Sequence, residues 1–596
     1  MDRPERPNRL ARLASGLSFF PLANTARGYN QAKLAGDARA ALNVALLAFP
    51  QGMAYALIAG LPLSYGIYGS AIAAIVGAFF AGSKFIMLGP TNATAVMMMS
   101  AFASLGLIQE EAARQVPLLL ALVGLILVLG AFFRVATLIQ YISRTVVTGY
   151  IAAAASLIIA NQIKNALGFT FAPDEKASNL IDVARLTALH IDRAQWPSVA
   201  LSGVTLAIYL LLGCVPFKLP KVAITLALAA FAAYFLGAYI DGFEVELLPG
   251  MGAASLGLTL PYATFESIQA LLPPAIAIAL LSMLEGNSIG KSLAAREGGR
   301  IDANQEMLNA GLANIGCALF SGMAASGSLT RSQLNANSGA QTPLSSLYAG
   351  LLVLLGAFSL GPLIDYIPQA SLAVLVIIIG ISLINKHQLL LVTRTTGSDR
   401  ATFFVTFLSG LVFSLDLAIY LGTVTSIALF LKKVSHPEIV EYGFNPEGQL
   451  GELKERAKRS DPEVSIVHVE GELFFGAAEL FRDQMRRVSD DPNLKVVILK
   501  LRNAHNLDAT SCMAFEELIR YMRERDRVLL VSEIRPDTMR ILEKSGVARI
   551  ISEENIFPDE AGNPTLSTAK ALRRAKQILG DREAKVSIYA KDRANA

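Results

Sequence analysis

The sequence predicts a polytopic α-helical membrane protein of about fourteen spans followed by a soluble α/β domain. Three observations predict it. Of 596 residues, 53% are hydrophobic and only 17% are charged, where an ordinary soluble domain carries about 25%. Apolar runs near the 20 residues that hydrocarbon demands of a helix recur from about Ala41 to about Phe430. Charge is also unevenly spread. From Ala41 to Pro117 the only charged side chains are Lys84, Glu110, Glu111 and Arg114, whereas from about Glu452 they recur every few residues. The reading divides the chain into a cytosolic segment over 1–39, a transmembrane region over 40–434 and a cytosolic domain over 435–596.

Orientation follows from the connections. Those carrying Lys84, Arg134, Lys218 with Lys221, Lys291 with Arg296 and Arg300, Lys386 with Arg394 and Arg400, and Lys432 with Lys433 are basic. The stretch from Asp241 to Glu266 holds four acids and no Lys or Arg. Positive residues stay inside, so both termini are expected in the cytoplasm and the span number is even. The basic start (Arg3, Arg6, Arg9, Arg12, Arg27, Lys33) fits cytoplasmic retention, and no cleavable leader is expected ahead of the first span. A net charge of +4 gives no footprint for nucleic acid. Cys214, Cys317 and Cys512 lie far apart, and the five histidines form no cluster, so neither metal nor disulfide is expected.

The apolar region divides near 241–268. About fifty residues into each half, the pattern breaks at a short polar stretch. The first is Gly89-Pro90-Thr91-Asn92-Ala93-Thr94; the second is Ser326-Gly327-Ser328-Leu329-Thr330-Arg331-Ser332. Gly/Pro-interrupted segments at matching places in two halves point to a transporter's binding site. Two half-helices would start near mid-membrane, each N-terminus carrying roughly half a positive charge. With Arg331 they would form an anion site. The competing structural reading is a pair of glycine kinks.

Few ionisable residues lie deep in apolar sequence. Glu285 is the sole charge between Glu266 and Lys291, and Arg331 the sole charge between Glu306 and Asp365. Each costs about 2.5–3.5 kcal/mol or more to insert, so each needs a cavity or a partner. Either they line a site, with Glu285 taking up a coupling proton or sodium, or they pair as a structural bridge. Arg144 and Asp416 sit near span ends, where interfacial roles suffice.

Beyond about Pro437, strands are expected over Val464–Val469, Val496–Leu501 and Arg527–Glu533, with amphipathic helices near 476–488, 510–523 and 536–545. Their alternation predicts a sheet covered by helices.

The motifs together resemble the SulP anion transporters. The resemblance rests on Asn304-Gln305-Glu306, Gly311-Leu312-Ala313-Asn314, the Ser326–Ser332 block, Asn335 and Gly339-Ala340. It rests in the first half on Pro50-Gln51-Gly52-Met53-Ala54-Tyr55, Pro62, Gly66-Ile67-Tyr68, Gly89-Pro90 and Arg144–Tyr150. It implies a seven-plus-seven inverted repeat of the uracil-permease-like kind, a core bundle moving against a gate bundle. It implies an anion pocket between the third and tenth spans, closed by the first. Carried over, that places Gln51 and Tyr55 on the first span, Thr91 on the third, and Ser328, Thr330 and Arg331 on the tenth. Gln51 and Tyr55, four apart, share a helical face; read alone, Tyr55 would be an interfacial aromatic. Two departures from the family pattern, Thr91-Asn92 with Thr94 after Gly-Pro and Gly286-Asn287 after Glu285, add polar groups to the pocket, Asn92 and Asn287 among them.

The tail resembles a STAS domain. The turn Leu507-Asp508-Ala509-Thr510-Ser511 falls where the family senses ligand or is phosphorylated, which marks Asp508 and Thr510 as candidate regulatory residues; plain helix capping by Asp508 is the alternative.

The expected function is secondary active transport of a small inorganic oxyanion, sulfate first, by an elevator-like mechanism coupled to H+ or Na+ through Glu285 with Asn287. Bicarbonate or a C4-dicarboxylate is the alternative within the family. A nucleobase permease is disfavoured by Arg331 and the tail. A scaffold or sensor acting through the tail is the alternative of another class. The protein is expected in the inner membrane as a homodimer, with a cytosolic protein partner possible through the tail. No hydrolytic triad, phosphate-binding Gly-rich loop or catalytic metal cluster stands in the sequence, so an enzyme is not expected.

Overall fold

In the computed structural model, the described residues are 17–580 except 19, 27, 108, 137–142, 172–174, 176–178, 215–220, 249–255, 298–300, 436–437, 445–449, 453–462, 490–493 and 561–565. Arg3, Arg6, Arg9, Arg12, Arg27, Lys218 and Arg300 therefore lie outside them. The chain divides into two units, Met1–Ser426 and Ile427–Ala596.

The first half of the first unit runs α1 (Gln31–Ala59), α2 (Leu63–Phe80), β1 (Leu88–Pro90), α3 (Asn92–Ser104), α4 (Gln109–Phe132), α5 (Arg144–Leu167), α6 (Leu180–Leu189), α7 (Trp196–Gly213) and α8 (Lys221–Tyr239). The second half runs α9 (Phe265–Glu297), α10 (Ala303–Leu319), β2 (Ala325–Gly327), α11 (Leu329–Asn337), α12 (Leu344–Ile364), α13 (Gln369–Leu383), α14 (Lys386–Arg394), α15 (Gly397–Val412) and α16 (Leu415–Val434). Among the described residues, nine helices are long and apolar enough to cross a membrane, α13 and α14 together counting as one. The short or broken elements α3, α10, α11, α12 and α15 complete seven in each half; α6 lies outside that count. The repeat is inverted: β1 and β2 pair antiparallel, with Leu88 opposite Gly327 and Pro90 opposite Ala325.

Contacts sort the helices into two bundles. In one, α10 packs on α4 and α2, α12 on α1 and α2, and α9 on α4. In the other, α13 and α15 pack on α5, and α8 on α7. Small residues permit the close crossings. A Cβ on Gly66 would sit 1.8 Å from the Gly52 carbonyl oxygen, so α1 and α2 touch backbone to backbone. Large apolar side chains on α7 and α8, among them Leu210, Leu211, Phe231 and Phe235, remain exposed, as lipid-facing surfaces require.

Helix α1 starts at Gln31, ahead of the apolar run, because Asp37 has buried partners. Its Oδ1 accepts from the amides of Gln341 (2.7 Å) and Thr342 (3.0 Å), and its Oδ2 from the Thr342 hydroxyl at 2.5 Å. These bonds tie α1 to the start of α12.

The second unit holds a six-stranded sheet, β3 (Glu438–Phe444), β4 (Leu450–Glu452), β5 (Val464–Glu472), β6 (Val496–His505), β7 (Val528–Ile534) and β8 (Ile556–Pro558), in the order β4-β3-β5-β6-β7-β8. Strands β5 to β8 are parallel. Helices α17 (Phe475–Ser489), α18 (Ala509–Arg523), α19 (Pro536–Ser545) and α20 (Val547–Ile551) share one core with Val467, Val497, Leu499 and Val531. Helix α21 (Leu566–Leu579) covers Ile466, Ile498 and Leu530 on the other face. Successive strand residues point to opposite faces, so these near-continuous apolar strands serve two cores.

Candidate functional site

The two breaks meet at one place. Pro90 biases Gly89 away from helical backbone, and the two three-residue strands pair instead of continuing as helix. Each strand then hands over to a helix through a side-chain cap. Thr91 accepts from the Thr94 amide while the Thr94 hydroxyl accepts from the Thr91 amide at 3.0 Å, a capping box. Ser328 accepts from the Arg331 amide at 3.4 Å. Both N-termini are thus fixed beside the strand pair.

Arg331 is 1% exposed. Its Nη2 donates to the Pro90 carbonyl, so the guanidinium of one half is fastened to the strand of the other. The position requires glycine at 89, where a Cβ would lie 2.6 Å from Nη1. Arg331 Nε is buried with no protein acceptor, which leaves a donor for an anion. Glu285, on α9, is held by hydroxyls from both breaks: Ser326 donates to its Oε2, and Thr91 donates at 3.2 Å. Thr91 and Ser326 also lie 3.3 Å apart. Glu285 and Arg331 form no ion pair within 4.0 Å, although they lie within Coulombic range of each other and of Tyr55.

The other expected residues are partly assembled here. Helix α1 packs on both α3 and α11. Tyr55 is buried, and Gln51 Oε1 and Asn92 Oδ1 are buried without partners. Either amide satisfies itself by meeting a ligand donor or by turning its NH2 toward an anion. Thr330 is exposed, in the first turn of α11. Asn287 lies apart. Two residues along a helix are about 200° around it, and Asn287 lines a separate cavity with Ser282 and Glu306.

The sequence reading missed Ser326 as a carboxylate partner, although it stands in the quoted motif. It missed Tyr150, whose hydroxyl donates to the Ala93 carbonyl at 2.9 Å and so fixes the first turn of α3 from the other bundle. It also missed Ser332, which accepts from the Met87 amide at 2.9 Å and anchors α11 to the approach to β1. For Tyr150 the available signal was a polar hydroxyl in an otherwise apolar segment; Ser326 and Ser332 stand within the polar stretch already quoted.

In the second unit, Asp508 caps α18. It accepts from the Ser511 amide (2.9 Å), the Ser511 hydroxyl (3.0 Å) and the Phe475 amide at the start of α17 (2.7 Å). Burial pushes its carboxyl up, but these donors outweigh it and hold the group below the usual carboxylate range. Thr510 is exposed on the first turn of α18.

Comparison with known proteins agrees with this architecture. Residues 34–406 match the model of the sulfate permease family, and residues 455–562 that of the STAS domain. The chain is 28% identical over 542 residues to the chloroplastic sulfate transporter 4.1 of Arabidopsis thaliana, covering 87% of this chain and 78% of that one. It is 25% identical over 574 residues to the high affinity sulfate transporter 1 of Stylosanthes hamata, covering 92% and 86%. In fold it is similar to the murine anion transporter Slc26a9 in its inward-facing state (TM-score 0.82, 18% identity, 97% and 96% covered). The transmembrane domain of the cyanobacterial bicarbonate transporter BicA is also similar (TM-score 0.58, 19% identity, 67% and 98% covered). With an inverted repeat around a buried arginine, and a family match that spans most of its transmembrane region, the chain belongs to the sulfate permease family of membrane anion transporters and carries a C-terminal STAS domain.

Proposed function

We propose that the protein moves a small oxyanion, sulfate, across the inner membrane by secondary active transport, its core bundle (α1–α4, α9–α12) shifting against the gate bundle as an elevator. The observation that carries this reading is the buried Arg331 guanidinium with an unpartnered Nε beside two capped helix N-termini. Two half charges and one full charge sum to about +2. Glu285 offsets one of these when ionised. A dianion such as sulfate is therefore matched best when Glu285 has taken up a proton or a sodium ion, and the hydroxyls of Ser326 and Thr91 place that carboxylate beside the anion donors. Coupling and substrate charge then have one origin. Anion ligands from the protein are Arg331, Ser328, Thr91, Gln51, Asn92, Thr330 and Tyr55.

The charge asymmetry of the connections supports both termini in the cytoplasm, and the tail supports a homodimer with Asp508 and Thr510 at a regulatory surface. The test is uptake of labelled sulfate, bicarbonate and dicarboxylates into proteoliposomes, with and without pH and sodium gradients. Concentrative sulfate uptake under one gradient supports the reading. Preference for bicarbonate or a dicarboxylate would replace the substrate, and no uptake of any anion by folded protein would favour a scaffold acting through the tail.

A further inference from the structure

A second buried carboxylate lies outside the anion site. Glu306, in the first turn of α10, is 6% exposed. Its Oε2 accepts from Asn309 Nδ2 at 3.3 Å, which fixes the amide's orientation. Glu306 Oε1 and Asn309 Oδ1 are both buried without hydrogen bonds. The amides of Gly82 and Ser83 face the carboxylate without hydrogen-bond geometry to Oε1. Space for a Cβ at Gly82 is only 3.1 Å from Oε1, so the chain packs closely there. Among the described residues, no Lys or Arg pairs with Glu306.

This carboxylate lines a cavity of about 20 Å³ together with Ser282, Gly286 and Asn287 of α9 and Gly327 of β2. That is room for one water-sized particle. Gly286 and Gly327 each adjoin, in sequence, a member of the anion site, Glu285 and Ser326.

Buried charges are paired or hold a metal ion, and unmet buried oxygens ask for a donor or a cation. Hard cations take oxygen ligands, and divalent ones gather six or more of them. A single carboxylate with amide and hydroxyl oxygens balances a monovalent ion instead. We propose that Glu306 and Asn287, with Asn309 positioning the carboxylate, bind one sodium ion at a site separate from the anion pocket. A cation there would join α9, α10 and the β2 strand behind the anion site, stabilising the core bundle as it moves. The proposal goes beyond coupling at Glu285 and stands without it.

The test is thermal unfolding of the purified full-length protein in detergent, in sodium chloride against choline chloride at equal ionic strength. The expected result is a saturable, sodium-specific rise in Tm of about 3 °C, still present in Glu285→Gln, which removes any sodium held at Glu285, and lost when Glu306→Gln is added to Glu285→Gln. Asn287→Ala should raise the half-saturating sodium concentration about tenfold, a loss of roughly 1.4 kcal/mol. It also serves if Glu306→Gln fails to fold, since unchanged half-saturation in Asn287→Ala would overturn the proposal. Overturning it equally are no sodium-specific rise in the wild type, a rise that survives Glu306→Gln in the Glu285→Gln background, or a rise lost in Glu285→Gln. The last outcome would place the cation in the anion pocket and leave the coupling reading standing.

Discussion

In the proposed reading, anion recognition turns on Arg331. It supplies the full charge among the donors of the site, and its guanidinium is already oriented by the Pro90 carbonyl. Preorganisation of that kind spares the entropy of ordering a long side chain on binding. Arg331→Ala should weaken sulfate binding about 10–100-fold, as expected for a charged hydrogen bond of about 1.5–3 kcal/mol, with the two helix N-termini retaining the remainder. Arg331→Lys should recover only part, because an ammonium lacks the planar fork that grips an oxyanion at two points. Equilibrium titration of the purified protein checks both; unchanged affinity in a folded Arg331→Ala variant removes the residue from the site.

At the scale of elements, the half-helices depend on their caps. Ser328→Ala removes the acceptor for the Arg331 amide and should cost about 1 kcal/mol of stability, read as a lower Tm of the purified protein, while the exposed change Thr330→Ala should cost less. In the other unit, Asp508 joins the starts of α17 and α18. Its carboxyl is held below its ordinary value, so the folded state favours the ionised form. That stability is present above the unfolded pKa of about 3.9 and is lost as pH falls through the folded pKa. Asp508→Ala should therefore lower the Tm of the C-terminal unit at pH 7, and the gap from wild type should close as pH drops below about 4. A gap that persists in acid would show that charge at Asp508 is irrelevant.

These elements also show what the sequence could disclose. The repeated breaks at Gly89–Thr94 and Ser326–Ser332 were legible because polar, glycine-bearing residues interrupt apolar runs. Strands β5, β6 and β7 and helices α17 to α19 were legible from alternating patterns of length and hydrophobicity. The β1–β2 pairing was not, since two three-residue strands far apart in sequence have no local signal. Strand β4 escaped because it is a three-residue edge element, and β3, which pairs between β4 and β5, was also not predicted. The anchoring of Asp37 on α12 is long-range as well. The sequence placed Glu285 and Asn287 together by proximity, whereas helical geometry turns them apart.

At the scale of the whole molecule, single polar bonds among the described residues join the two bundles. Tyr150 donates to the Ala93 carbonyl, the Leu415 amide donates to Ser100 Oγ at 2.9 Å, and Tyr420 donates to the Pro273 carbonyl at 2.5 Å. Each is a single bond between helices that an elevator motion would exchange. The units that follow one another along the chain have separate cores, and every proposed anion ligand precedes residue 427. Truncation after about residue 436 should thus leave sulfate affinity unchanged while altering oligomer mass or turnover. Light scattering and binding on the truncated protein check this, and loss of binding in a monodisperse truncation would show the units are not independent.

The central claim is that one buried place both binds the anion and couples its movement, through Glu285 set between Thr91 and Ser326. The direct measurement is labelled sulfate transport by wild type and Glu285→Gln in proteoliposomes, under an imposed pH gradient and, separately, a sodium gradient. Glutamine keeps the size of the side chain but carries no exchangeable charge. The account predicts that the variant loses accumulation against a gradient while sulfate exchange at equal concentrations persists. Accumulation by the variant equal to wild type under both gradients would contradict it and leave Glu285 as a structural member of the strand-and-helix junction.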